Sequence, residues 1–164
     1  MTIPKLVLGL VLLAGGSSVA RAQHVEPLRM HDAGWIREAG ERLARCAGTY
    51  RGAAAVMRGG GRATNALYAE SVASGALFAS YLLLTSPEAT AANVLAGVDP
   101  NAYIDALAWG TKRNFVEMDA ASAEQATLLR ACTGLSELQS AVLRSSWAAP
   151  AAAAAQHTQP RPTN

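Results

Sequence analysis

The sequence predicts an all-α protein, namely an up-down four-helix bundle with a short extra helix between its second and third helices. Three observations lead to this fold class. Apolar residues recur every three or four positions through the body of the chain, about residues 30–147. No sustained stretch alternates apolar and polar residues, and β-branched residues are few, which argues against strands. Helix-start and helix-stop residues separate the periodic stretches.

The first helix is predicted to follow Asp32, whose side chain suits an N-cap. Its outward side is charged, and Glu38 and Glu41 stand four residues before Arg42 and Arg45. Each such pair stabilises a helix by about 0.3 kcal/mol in this order. The inward side is an apolar stripe with helical spacing. The stripe consists of Ile36, Ala39, Leu43, Cys46, Tyr50, Ala53 and Met57.

A glycine-rich turn over residues 58–62 is predicted to end the first helix, because glycine readily adopts the left-handed backbone of a helix end. The glycine amides together with Arg58 and Arg62 form a possible anion-binding turn. A plain interhelical turn is the favoured interpretation, since no strand precedes it and no lysine followed by serine or threonine comes after it.

The second helix is predicted over residues 63–84 and is apolar around more than half of its circumference, so we expect it to be the most buried element. Ser71, Gly75 and Ala79 are spaced by four and would let another helix approach closely. A membrane span is the alternative, but small residues stand where lipid-facing leucine and isoleucine are expected. The two apolar stripes are Tyr68, Val72, Gly75, Ala79 and Leu82, and Leu67, Ser71, Ser74, Phe78 and Tyr81.

The remaining helices are predicted to begin at Ser86, Asp99 and Ser122, which are all N-cap residue types. Proline follows the first two, as is common in a first helical turn, and Ser122 with Gln125 resembles a capping box. The short helix from Ser86 is predicted to run to Leu95 and to be closed by Gly97. The two longer helices are predicted to point Ile104, Ala108, Thr111, Phe115 and Met118, and then Leu128, Cys132, Leu135, Leu138 and Val142, inward.

The two cysteines lie on the predicted inward stripes of the first and last helices, which are antiparallel neighbours in an up-down bundle. We therefore predict a Cys46–Cys132 disulfide, worth on the order of 4 kcal/mol because it closes a long loop. Two buried free thiols are the alternative. A redox-active pair is less favoured, because the chain contains no C-x-x-C motif.

The chain ends are predicted to lie outside the bundle. Residues 1–22 have the pattern of a secretory signal peptide, with a basic start, an apolar run at 6–14 and small residues before a cleavage point after Ala22, or after Ala20 as the alternative. Residues 23–147 then form the helical domain. Residues 148–164 are rich in alanine and proline and are predicted to be a disordered tail.

Export would also change the charge. The whole chain has 14 basic and 12 acidic residues, and removal of Lys5 and Arg21 leaves 12 of each. A neutral chain of this kind is not expected to bind nucleic acid. We expect a periplasmic or secreted protein without a stable membrane span after cleavage. Heavy use of alanine and arginine is associated with GC-rich bacteria, so a bacterial envelope is the expected setting.

The sequence predicts no catalytic residue, no metal site and no cofactor. The H-E-x-x-H, C-x-x-C-H, Walker A and G-x-S-x-G motifs are all missing from the sequence. His24, His31 and Asp32 could hold a metal, but solvated terminal residues are the favoured interpretation. Met30 could be a haem ligand in a cytochrome-like bundle, but the histidine that would complete such a site is missing from the last helix.

Several other residues are of types that also occur in functional sites. Glu70 is the one carboxylate in the second helix, and we expect it to face outward or pair with an arginine such as Arg113. Lys112 and Arg113 form a basic pair too small to bind nucleic acid. Trp35, Trp109 and Trp147 are expected to be anchors in the core or at its edge, and Trp147 and Trp35 are the possible partner contacts.

The sequence thus favours a small exported protein that acts without catalysis, through contact with an envelope protein, as an accessory subunit or adaptor. The alternative is a bundle that binds a small apolar ligand or cofactor between its helices, and an enzyme is the least favoured class. An exposed patch with tryptophan or tyrosine would support the adaptor. An apolar cavity between helices would support ligand binding.

Overall fold

The structure is a computed structural model that describes residues 32–120 and 122–157, with side chains as far as Ser146. Within these residues every regular element is a helix and no strand is present, so the predicted all-α class is confirmed. The six helices are α1 (Ala33–Gly59), α2 (Ala63–Leu84), α3 (Pro87–Ala91), α4 (Pro100–Glu117), α5 (Ala123–Ala131) and α6 (Leu135–His157).

Four of these helices begin at the N-cap residues that the sequence predicts, and at the start of α5 the Ser122 hydroxyl accepts a hydrogen bond from the Gln125 amide at 3.2 Å. The Asp32 carboxylate accepts a hydrogen bond from the Gly34 amide at 3.0 Å. The Ser86 hydroxyl accepts one from the Ala89 amide at 3.1 Å, and Asp99 accepts two at the start of α4. Each cap satisfies backbone N–H groups that have no partner within the helix.

α1 is the central helix and contacts each of the other five helices of the described chain. α2 runs antiparallel to it, since the Ser80 hydroxyl near the end of α2 donates to the Gly40 carbonyl near the start of α1 at 2.8 Å. At the opposite end, Arg58 of α1 pairs with Glu70 of α2 at 2.6 Å. The two helices therefore form a long hairpin, to which the later helices add.

The side of α2 that faces α1 consists mainly of alanine, and we call it the inner seam. Short side chains let the two helices pack closely at the density typical of protein interiors. The prediction that α2 is the most buried element is wrong, because Leu67 and Tyr68 are 68% and 72% exposed. Packing selects the alanine side, and large apolar side chains remain outside. The inner seam is Ala66, Ala69, Ala73, Ala76, Ser80 and Leu83, all buried.

Two glycines of α1 set its distance to α4, which runs along α1 in the same direction. A Cβ atom at Gly48 would lie 2.2 Å from the Ala108 carbonyl oxygen, and one at Gly52 would lie 2.7 Å from Cβ of Phe115. Such distances are sterically forbidden, so this approach of two backbones requires glycine. The pattern within α1 does not reveal this requirement, since it depends on a helix fifty residues away in the chain.

The sequence predicts a single last helix, but the structure has two, α5 and α6, because the helix is interrupted at residues 132–134. Gly134 has φ +78°, a left-handed conformation that suits glycine. The Arg42 guanidinium donates to the carbonyls of Ala131 at 3.3 Å and Thr133 at 2.7 Å. The guanidinium thus supplies hydrogen-bond donors to two carbonyls at the point where the helical hydrogen bonds of α5 end. The predicted inward residues still face inward: Cys132, Leu135 and Val142 are buried, and Leu128 and Leu138 are half-buried.

The predicted disulfide between Cys46 and Cys132 is present, with an S–S distance of 2.07 Å and a Cα–Cα distance of 5.5 Å. Cys46 lies in the middle of α1, and Cys132 is the C-cap residue of α5. The bond therefore ties the central helix to the break between α5 and α6.

The end of the chain differs from the prediction of a disordered tail over residues 148–164, because α6 continues to His157. Alanine has the highest helix propensity, and extending an existing helix avoids the cost of nucleation, which explains why the run at 151–155 stays helical. Residues 158–164 lie outside the described part of the chain, as do the predicted signal peptide over 1–22 and the candidate ligands His24, Met30 and His31.

Candidate functional site

The outward side of α4 presents a tryptophan and two cations to solvent, and we call it the α4 outer face. Trp109 is 61% exposed, and the guanidinium carbon of Arg113 lies 5.1 Å from the centroid of its ring. This distance is within the range of a cation–π contact, which holds both side chains in place. The face consists of Asp105, Trp109, Lys112, Arg113 and Val116.

The position of this face follows from the helical repeat. Ile104, Ala108 and Phe115 are buried against α1, so residues on the opposite side of α4 project outward. The sequence indicates this position, because neither Trp109 nor Val116 belongs to the inward stripe of α4. Trp109 therefore lies outside the core, on the side of α4 opposite the buried residues.

A cleft of about 660 Å³ opens beside the α4 outer face, between α4 and the α1–α2 hairpin. Trp109 and Asp105 line one wall with Lys112, and Arg51 and Glu70 line the other. Charges of both signs thus surround a tryptophan at the edge of an open cleft. This arrangement suits a charged side chain from a binding partner. A cation could pair with Asp105 or Glu70, and an anion with Lys112 or Arg51.

A second cleft, of about 500 Å³, lies between α1, α4 and α5 beside the disulfide. Met118, Leu128 and the two cysteines give it an apolar part, while Glu41 and Arg45 stand among its polar lining. The volume is within the range of small-molecule sites.

Glu41 is held in a polar network at this second cleft. The Tyr103 hydroxyl donates to Oε1 of Glu41 at 2.5 Å, and Arg45 donates to Oε2 at 3.3 Å. The hydrogen bond from Tyr103 is the main reason that the pKa of Glu41 lies below its ordinary value, and Arg45 adds to the effect. The same hydrogen bond raises the pKa of Tyr103, because ionised tyrosine would lose its role as donor.

Replacing Tyr103 with phenylalanine should raise the pKa of Glu41 toward its ordinary value of 4.5, because the carboxylate loses its strongest hydrogen bond. The lowered pKa favours the folded state above the pKa of the unfolded chain, and this stabilisation disappears as the pH falls through the folded-state pKa. The part of the stability difference between wild type and variant that comes from Glu41 ionisation should therefore be full at neutral pH and disappear in acid.

NMR titration of the Glu41 side-chain carboxyl carbon measures this shift directly. The matched control is Tyr81→Phe, since Tyr81 is exposed on α2. An unchanged Glu41 titration in Tyr103→Phe would show that the hydrogen bond does not set the pKa.

The candidate anion-binding turn joins α1 to α2. Arg58 pairs with Glu70 at 2.6 Å, whereas Arg62 is the N-cap residue of α2 and exposed. Glu70 therefore pairs with an arginine, as predicted, but with Arg58 rather than Arg113, the example given: Arg113 lies 3.6 Å from Glu117 and over Trp109. Anion binding by this turn stays a prediction, with one of its two arginines engaged by a carboxylate.

The two tryptophans predicted as partner contacts differ from Trp109 in position. Trp35 is half-buried and packs against the core, while the side chain of Trp147 lies outside the described part. In the part of the chain with described side chains, no group of three or more His, Cys, Asp or Glu residues could hold a metal ion. Asp32, one of the candidate metal ligands, is the N-cap residue of α1.

α2 is the one helix in the described residues that is long and apolar enough to cross a membrane by length and composition. Core helices of soluble proteins pass the same test, and the inner seam of α2 is buried against α1.

The sequence matches no protein-family model, and no curated protein or solved structure matches it either. Function is therefore inferred from the residues and their geometry.

Proposed function

We propose that this protein acts without catalysis, through contact with a protein partner, as an accessory subunit or adaptor of an envelope assembly. The observation that carries the proposal is Trp109, which is 61% exposed and lies beside Arg113. Tryptophan and arginine are the residue types most enriched among side chains that dominate binding energy at interfaces. A tryptophan exposed to this extent is costly in water and gains most from burial by a partner.

The chemistry of the α4 outer face defines the partner that it fits. Trp109 and Val116 supply apolar area, while Lys112 and Arg113 supply two cations at its edge. The complementary surface is an apolar pocket flanked by carboxylates. A partner side chain would enter the cleft between α4 and the α1–α2 hairpin.

The proposal includes export and the finer topology. Residues 1–22 act as a signal peptide cleaved after Ala22, or after Ala20, and deliver the protein to the periplasm or the exterior. The Cys46–Cys132 disulfide supports this, because such bonds persist in oxidising compartments. α1, α2 and α4, with α5 and α6 in place of a fourth helix, form an up-down bundle. Mass analysis of the N-terminus after cell fractionation tests export, and an intact Met1 in the cytoplasm contradicts it.

Replacing Trp109 with alanine should reduce partner capture from an envelope extract at least tenfold, since a central interface tryptophan contributes about 2 kcal/mol or more. The experiment uses the tagged mature protein and quantifies a stoichiometric partner by mass spectrometry. The control is Val98→Ala, another exposed apolar residue, outside α4. Equal capture by wild type and Trp109→Ala would exclude the α4 outer face as the contact.

A second candidate function rests on the cleft beside the disulfide, whose volume of about 500 Å³ and apolar part suit a small apolar ligand. Native mass spectrometry of protein purified from its own envelope tests this function. A bound small molecule that is lost in Leu128→Arg, but retained in Trp109→Ala, would favour ligand binding over the adaptor.

A further inference from the structure

α2 carries an exposed seam, half leucine and aromatic residues and half serine and threonine, that the proposed function does not use. Its residues follow one another at alternating steps of three and four, which is the spacing of the contact positions in a coiled coil. All six are exposed, including Leu67 at 68%, Phe78 at 53% and Tyr81 at 39%. We call them the outer seam: Thr64, Leu67, Ser71, Ser74, Phe78 and Tyr81.

The outer seam repeats the spacing of the inner seam on the same helix. The inner seam also alternates steps of three and four from Ala66 to Leu83, and α1 fills it. α2 therefore has two contact faces with coiled-coil spacing. Within the described side chains, the second face is covered by no other helix, because its residues remain exposed.

The four inner positions of the outer seam are matched in size about its centre, whereas the outermost two, Thr64 and Tyr81, are not. Two serines, Ser71 and Ser74, occupy the middle, and Leu67 and Phe78 lie at equal distances on either side of them. An antiparallel second copy of α2 would therefore place Leu67 against Phe78 of that copy, and Ser71 against its Ser74. A two-fold axis requires such self-complementarity of one surface.

The charges of α2 also favour an antiparallel copy. Glu70 is its one charged residue; it lies off the outer seam and is paired with Arg58, so no like charges would face each other. The last turn of α2 contains no basic residue. In an antiparallel pair, Arg62 of the second copy would stand near that turn, where a cation stabilises the negative end of the helix dipole.

The exposed area is sufficient for a dimer. Full burial of the outer seam and the adjoining Tyr68 in two copies would remove roughly 1,200 Å² from water, most of it aromatic or leucine surface. This reaches the lower end of the range for specific interfaces.

We propose that two copies of this protein pair antiparallel through the outer seams of α2. The α4 outer faces of both copies stay outside this interface, so a dimer would present two partner contacts. Dimerisation and partner binding are separate properties, and Trp109→Ala should leave the dimer intact.

Sedimentation equilibrium over a concentration series tests the proposal. Leu67→Lys and Phe78→Glu should each raise the dimer dissociation constant at least about 30-fold, because each change places two charges in the interface. The double variant L67K/F78E should recover dimerisation, since the introduced lysine and glutamate face each other twice in the antiparallel arrangement. Leu129→Lys is the matched control on α5, where the leucine is 37% exposed.

Three outcomes overturn the proposal. Wild-type protein that remains monomeric throughout the series excludes the dimer. A double variant weaker than both single variants excludes the antiparallel register, because parallel copies would bring like charges together. Monomeric protein that floats with vesicles of phosphatidylethanolamine and phosphatidylglycerol, and no longer does so as Phe78→Glu, assigns the outer seam to a lipid surface instead. Circular dichroism of each variant verifies that the helices are retained.

Discussion

Replacing Gly48 with alanine should destabilise the protein by about 3 kcal/mol, although alanine is the better helix former. The added Cβ would lie 2.2 Å from the carbonyl oxygen of Ala108 and 2.9 Å from Cβ of Thr111. The clash involves the backbone of α4, so no side-chain rotation relieves it. α4 must move away from α1 as a unit, and the contacts around Phe115 loosen with it.

Urea unfolding followed by circular dichroism measures the loss. The matched control is Gly110→Ala, which makes the same substitution within α4 at a position where a Cβ would meet no atom within 4 Å. That variant should be more stable than wild type by up to about 1 kcal/mol, because alanine favours the helix. Two variants of equal stability would show that α1 and α4 are not in close backbone contact.

Replacing both Cys46 and Cys132 with alanine should lower the free energy of unfolding by on the order of 4 kcal/mol. The disulfide links residues 86 apart in sequence, so its loss restores a large amount of freedom to the unfolded chain. Both positions are buried, and alanine preserves an apolar interior there.

Unfolding of wild type with and without a thiol reductant provides the comparison within one sequence. Reduced wild type should unfold at nearly the same urea concentration as the double variant, whose midpoint should not respond to reductant. A wild-type midpoint that reductant leaves unchanged would contradict a stabilising disulfide.

Features set by neighbouring residues could be predicted from the sequence. The caps at Asp32, Ser86 and Asp99 depend on a side chain and an amide two or three residues away, so the residue types suffice. The disulfide could be predicted because both cysteines lie on inward stripes and the chain holds no third one.

Features set by distant parts of the chain could not be predicted in this way. The break at Gly134 is stabilised by Arg42, ninety residues earlier, and the periodicity runs through it without interruption. The need for glycine at position 48 becomes visible only with α4 beside it. The choice of which side of α2 to bury depends on how closely α1 can approach.

In the candidate site too, features set by local spacing could be predicted and contacts between distant helices could not. Trp109 could be placed on the outward side of α4 by counting from the inward stripe at Ile104 and Ala108. The hydrogen bond between Tyr103 and Glu41 joins α4 to α1, and no spacing within either helix indicates it. Sequence alone therefore identifies exposed side chains better than the pairs that they form.

The order of the helices along the chain gives the disulfide a further role. α1 and α2 are joined by three residues and pair through contacts between neighbouring segments, so their hairpin can form before α4 packs against it. α4 can then pack against α1 at Gly48, where the missing side chain leaves room for its backbone. Cys132 comes after all three helices and meets Cys46 on the finished hairpin. A molecule that carries the oxidised bond therefore has the end of α5 fixed beside the middle of α1.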